Sequence, residues 1–347
     1  MAIQITMTAD QLGRSRFVIS PAQEVVSAVR HREGHPARHA RTWYARARDW
    51  MVPDVLALLE ALVPADHPYA PDFLTPPPTR PVETIDDLAR RIATTSVADV
   101  ERQLDIGLSG RQIRPDVAIL FGDEETYAQW RRPMPDALAR VVADGPEAVA
   151  VAAAEAVHDF FSVAIEPDWT KARSVLEDDV RRKSDLLAER GAVAMLDDLG
   201  PEMSWTGVGI VLERPYDVVV DWADDGLLLV PTTTHVGPVE FTTECPVTPS
   251  VVYRPDGVAR LWEQLAPTPS RALADLVGDT RAALLIELRE PRATTDLSRE
   301  LQWSDATVSY HLQVLLRAGL VDRHRRGRKV LYRHTPLGTT LVAEHHP

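Results

Sequence analysis

Residues Thr294–Arg333 read TTDLSRELQWSDATVSYHLQVLLRAGLVDRHRRGRKVLYR, and this stretch decides the fold of the C-terminal part. Thr294 and Thr295 can cap a short helix through Leu301, with Leu297 and Leu301 four apart on one face. Gln302-Trp303 makes a turn, and Ser304 is an N-cap whose hydroxyl can accept an orphan amide hydrogen bond. The second helix is predicted over Asp305 to Ala318. Val308, Leu312, Leu315 and Leu316 fall at helical spacing and face the core. Gly319 fits the left-handed position that stops a helix. Strands at Leu320-Val321 and Val330–Tyr332 then flank a basic tip, DRHRRGRK, in which Gly327 permits the turn. The pattern is helix, turn, helix and basic hairpin.

The other flank of the second helix carries Ser304, Asp305, Ala306, Thr307, Ser309, Tyr310, Gln313 and Arg317. Short hydroxyls, an amide and an aromatic ring suit base edges and phosphate oxygens in a major groove. At the hairpin, Arg323, Arg325, Arg326, Arg328, Lys329 and Arg333 face one nearby acid, Asp322. The expected partner is double-stranded DNA, held through these side chains, with Arg325, Arg326, Arg328 and Lys329 on phosphate. The alternative is a helix-turn-helix used only for protein contact.

Thr307–Val321 fits the pattern TVSxHLxxLxxAGLV, and Arg328–Arg333 fits RxVLYR. In these residues the segment resembles the ArsR-type winged-helix repressors. Over the whole chain it looks like the actinobacterial ArsR-type regulators with a long N-terminal region. That looser match rests on ISPAQEV (Ile19–Val25), LLLVPTTT (Leu227–Thr234) and VVYRPDGVARLW (Val251–Trp262). The resemblance implies a homodimer that binds operators and represses until an effector arrives, with the terminal helices of the DNA-binding domain forming the dimer interface. Many metal sensors of this type carry a cysteine pair at the start of the first helix of the motif. Here that stretch is Ala293–Leu297, without sulfur, so the likeness to metal sensors stops at the fold.

The 347 residues carry a net charge of −13, unevenly spread. From Ser270 onward there are 12 Lys and Arg against 9 Asp and Glu, leaving 26 basic against 42 acidic residues before it. An acidic body with a basic head meets DNA only through the head. Cys245 is the one cysteine, so no intrachain disulfide forms. The sequence shows no run of 18 apolar residues and no signal peptide, so the expectation is a cytoplasmic chain with no membrane partner.

The N-terminal part reads as helical. Thr8 caps a helix to about Phe17, and Ser20-Pro21 opens the next. Ala37–Met51 is a basic helix with Trp43 and Trp50 turned inward. Pro64–Pro81 is a Pro-rich loop, and Pro146–Phe161 is a central, Ala- and Val-rich helix. Pro167–Arg190 is a long amphipathic helix, and a short one follows from Ala192. From Trp205 to Arg254 the pattern turns β-like, with Asp225-Gly226 expected as a hairpin turn. The fold class is therefore mainly α with a small β-sheet (α+β). A helical region spans 1–200, a small antiparallel sheet segment 201–266, and a winged helix-turn-helix 270–347.

No phosphate-binding glycine loop, GxSxG or HExxH occurs, so no catalytic residue and no enzyme is expected. His31, His35 and His39 are spaced by four, but Gly34 and Pro36 break the helix between them, and no metal or cofactor is assigned. Seven of the eight Trp residues lie before the DNA-binding segment. Trp205, Trp222, His235 and Trp262 are the candidates for a small organic effector where helices meet the sheet. Rival readings are a protein-interaction module positioned by the winged helix, or a ligand-transforming enzyme fused to a DNA-binding domain, with His235 or Cys245 carrying turnover.

Overall fold

The computed structural model describes residues 2–32, 38–80, 83–213, 218–221, 226–242, 249–259, 261, 271–288, 291–301, 303–326 and 329–344. The chain divides into two compact units, Met1–Gln264 and Leu265–Pro347.

The first unit begins with β1 (Ala2–Thr6), α1 (Ala9–Gly13) and β2 (Arg16–Phe17). Next come α2 (Pro21–Arg30), α3 (Arg38–Trp50), α4 (Pro53–Leu62), α5 (Ile85–Ala93) and α6 (Val97–Gly107). Then follow α7 (Pro115–Ala118), α8 (Glu124–Trp130), α9 (Asp136–Val142), α10 (Pro146–Phe160) and α11 (Glu166–Asp197). The strands after them are β3 (Met203–Trp205), β4 (Gly209–Glu213), β5 (Val218–Asp221), β6 (Leu228–Pro231), β7 (Glu240–Thr242) and β8 (Ser250–Tyr253).

As its composition implied, α10 is the central helix. Its small side chains, among them Ala150, Ala153 and Ala156, let α4, α5, α6 and α9 pack close around it. The stretch Pro146–Asp197 is long and apolar enough to cross a membrane by composition, yet most apolar side chains of α10 are buried in this core, with Val151 an exception. A π-helical turn, Phe161–Ile165, joins α10 to α11. α11 breaks at Gly191, with φ 84°, where the sequence divides one helix from the next. In α3, Trp43 is fully buried and its Nε1–H donates to Asp168 Oδ2 at 3.0 Å. Trp50 is 79% exposed, so only one of the two rings turns inward.

The sheet differs from expectation. Among the described residues, the first unit has two four-stranded mixed sheets, ordered β3-β4-β1-β5 and β2-β6-β8-β7, in place of one small antiparallel sheet. β1 sits between β4, antiparallel, and β5, parallel. The helix expected to reach Phe17 stops at Gly13, because Arg16 and Phe17 pair with Leu228 and Leu229. Segment 201–266 is thus woven with the chain's first residues. Asp225 of the expected Asp225-Gly226 turn lies outside the described residues, and the strands on either side, β5 and β6, belong to different sheets. Gly226 serves another need: any Cβ there would collide with the Arg14–Ser15 backbone. Ile3, Ile5, Ile210, Leu212, Leu229 and Val251 build the sheet core with Leu196 and Leu199.

The second unit contains α12 (Arg271–Val277), α13 (Asp279–Glu287), β9 (Arg292–Ala293), α14 (Thr294–Leu301) and α15 (Asp305–Arg317). After these come β10 (Val321–Arg326), β11 (Lys329–His334) and α16 (Pro336–Glu344). The sheet order is β10-β11-β9, so a third strand that the sequence did not announce joins the hairpin. Its core gathers Leu273, Leu284, Leu285, Leu297, Val308, Leu312, Leu315 and Tyr332. On α16, Val342 is buried and Leu341 packs beside it, whereas Leu337 is exposed.

Candidate nucleic-acid interface

α15 is held at both ends by local chemistry. Ser304 is extended at the N-cap, and its Oγ accepts the Thr307 N–H at 3.1 Å. At the other end Leu320 N–H donates to Leu315 O (3.0 Å) and Gly319 N–H to Leu316 O (3.1 Å). Gly319 takes φ 71°, which completes a Schellman stop. Val308, Leu312 and Leu315 lock one face into the core. The opposite flank is bare: Ser304, Asp305, Ala306, Thr307 and Arg317 are exposed, and Tyr310 is 63% exposed. Ser309 and Gln313 are half-buried at the edge of that flank. The Tyr310 ring meets His311 edge-on at 5.0 Å. The buried Nδ1 of His311 has no hydrogen-bond partner among the described residues.

The hairpin register runs from Val321↔His334 to Arg326↔Lys329. Arg323, Arg325 and Arg333 are exposed along it. Asp322, the lone local acid, is engaged within the hairpin: it accepts the Arg323 N–H at 2.7 Å and lies 3.4 Å from Arg333. Its charge is therefore partly neutralised and the hairpin keeps a net positive face. Arg328 and the side chains of Arg326 and Lys329 lie outside the described residues. A capped helix with hydroxyl, carboxylate and amide groups on its free flank matches the donors and acceptors of base edges, and exposed arginines match phosphate.

Of the four expected effector residues, two, Trp205 and His235, fall among the described residues. Trp205 is half-buried against the sheet core, while Trp222, Trp262 and Cys245 lie outside the described residues. His235 is 2% exposed, and its Nε2 sits 2.9 Å from Pro238 O. Its neighbours are His31, ring to ring at 5.8 Å, and Glu240 Oε1, 3.9 Å from Nδ1. Burial pushes the His31 pKa down to about 4. On α2, Glu24 is fully buried and clamps the loop before His235. Its carboxylate accepts the Thr233 N–H (2.7 Å) and the Thr233 hydroxyl (2.8 Å). Burial raises Glu24 to about 7, against the opposing pull of those hydrogen bonds. Glu24 and Glu240 were missed in the sequence, and His31 was weighed there only alongside His35 and His39. The available signal was Ser20-Pro21, which opens a helix placing Glu24 and His31 two turns apart on one face. A cleft lined by Ser20, Gln23, Asp72, Leu228 and Ser250 is too narrow to admit more than water-sized groups, and neither Trp205 nor His235 lines it.

A helix-turn-helix domain family matches residues 278–324, from the turn before α13 into β10. A polar helix flank and a basic hairpin on that framework define a DNA-binding transcriptional regulator. The HTH-type transcriptional repressor SmtB of Mycobacterium tuberculosis, in strains CDC 1551 / Oshkosh and ATCC 25618 / H37Rv, is 31% identical over 113 residues. That match covers 32% of this chain and 71% of the repressor. The chain belongs to the ArsR/SmtB family of helix-turn-helix regulators. No solved structure matches the chain.

Proposed function

We propose that this protein is a cytoplasmic, homodimeric winged helix-turn-helix repressor whose operator affinity is set by a small-molecule effector. In this reading α15 enters the major groove. Asp305, Ala306, Thr307, Ser309, Tyr310 and Gln313 face base edges, while Ser304, Arg317 and the hairpin cations Arg325, Arg326, Arg328 and Lys329 face phosphate. The observation that carries it is the bare polar flank of a helix whose other face is fully committed to the core. Two exposed leucines on the first and last helices of the unit, Leu276 (64%) and Leu337 (60%), support pairing of two copies there. The long first unit holds the effector without transforming it. A C2 dimer of this kind presents two α15 helices to half-sites about 34–36 Å apart.

The test is to select DNA with the purified chain, sequence it, and titrate binding against salt. Binding should fall steeply with salt. A protein that ignores duplex DNA at low ionic strength would end this reading and leave the protein-interaction alternative.

A further inference from the structure

The geometry points to a binding site for a divalent first-row transition-metal ion, Zn²⁺ foremost, formed by His31, His235 and Glu240 in the first unit. One donor atom from each of the three side chains lies within 4.8 Å of the others. A point therefore exists within about 2.8 Å of all three, and closing to the usual 2.0–2.1 Å of a Zn–N or Zn–O bond takes less than about 1 Å per side chain.

Two orphaned nitrogens are what make this more than a chance cluster. His31 Nε2 and His235 Nδ1 are both buried, and neither has a hydrogen-bond partner among the described residues. A buried imidazole nitrogen left unpaired is costly, and native cores rarely leave one so. For His235 the tautomer follows from its neighbour. The Pro238 carbonyl can only accept, so Nε2 carries the proton and Nδ1 presents its lone pair to the cluster. That outer hydrogen bond to a backbone carbonyl is the usual device for orienting a metal-bound histidine. Glu240 Oε1, at 3.9 Å from Nδ1, is too far to satisfy it directly.

Each donor is also held in place by the surrounding structure. His31 is the C-cap of α2, its N–H bonded to Ser27 O. Glu24, seven residues earlier on that helix, fixes Thr233 and hence the loop that delivers His235. Glu240 opens β7, and the adjacent Val239 N–H donates to Glu202 Oε1 at 2.6 Å. Two imidazoles and one carboxylate select borderline ions over Ca²⁺ or Mg²⁺, which want oxygen shells. His31 and Glu240 are only half-buried, which leaves an approach for the ion and room for a water as a further ligand. The sequence set aside the helical spacing of His31 with His35 and His39, and the side chain of His39 lies outside the described residues. His35 lies outside the described residues, and the partners of His31 come from a distant loop and strand. The site is a property of the first unit and stands whether or not the chain binds DNA.

The experiment strips the full-length chain with EDTA and titrates it with Zn²⁺ by calorimetry and Co²⁺ by visible absorption. One Zn²⁺ per chain is expected, with Co²⁺ giving the intense bands of a low-coordinate site. The His31→Gln/Glu240→Gln double variant should lose this binding, and His345→Ala/His346→Ala should keep it. X-ray absorption at the zinc edge of the loaded wild type should show two imidazoles among light-atom ligands, a readout that needs no variant to fold. Failure of the wild type to bind, binding that survives in a folded double variant, or an edge spectrum without two imidazoles overturns the proposal.

Discussion

Replacing Glu24 by glutamine gives a pH-dependent change whose sign and size follow from the structure. The carboxyl is fully buried and its pKa is raised from 4.5 to about 7 by desolvation. Each pKa unit corresponds to about 1.4 kcal/mol, so that displacement amounts to roughly 3 kcal/mol. The folded chain holds this proton more tightly than the unfolded chain does. Its contribution to stability is therefore complete below pH 4.5 and is lost as pH rises through about 7. Glutamine cannot ionise, and its carbonyl can still accept the Thr233 N–H. Subtracting wild type from Glu24→Gln cancels the other titrating groups. The variant should gain on the wild type by roughly 3 kcal/mol between about pH 5 and pH 8.5. Urea unfolding followed by tryptophan fluorescence measures this, because seven of the eight Trp residues report on the first unit. A stability difference that does not change with pH, or that shrinks as pH rises, would refute the buried-carboxyl argument.

Arg323→Ala with Arg325→Ala should lower the slope of log K against log salt by about two and weaken binding to all DNA sequences alike, read by fluorescence anisotropy. Ser304→Ala removes the acceptor for the Thr307 N–H and should destabilise the second unit by about 1 kcal/mol in thermal unfolding. Gly319→Ala, forcing a Cβ onto a residue at φ 71°, should destabilise it by about 1 kcal/mol as well, without altering operator preference. Leu276→Asp with Leu337→Asp should turn a dimer into a monomer in sedimentation velocity and leave the helical circular dichroism unchanged; an unchanged sedimentation coefficient would place the dimer contact elsewhere.

What could be read in the sequence was what is locally encoded. The α15 boundaries followed from Ser304, Gly319 and a 3.6-residue apolar period, and the break at Gly191 from the change of pattern after Arg190. Caps and helical faces involve neighbours three or four positions apart, and the chain states them openly. Strand pairing is different. Asp225-Gly226 carried hairpin chemistry, yet the flanking strands were claimed by partners in separate sheets, and Gly226 was set by a backbone passing close by. β1 was invisible because its partners, β4 and β5, come from the other end of the unit. The same distance hid the Glu24–Thr233 clamp, whose members stand 209 positions apart. Trp50 shows the converse: an aromatic ring on a helix invites burial, but among the described residues it stays 79% exposed.

The position of β1 has a consequence for synthesis on the ribosome. Ile3 pairs with Leu212 and Val218, so the first strand of this unit is an inner one that waits for the last third of the unit. At about 5–20 residues per second, that wait is roughly 10–40 s. Throughout it the strand's backbone is an open edge, attractive to any passing chain. The first unit therefore cannot close its β1-centred sheet until β4 and β5 have been made, whereas the second is built largely from near-neighbour contacts.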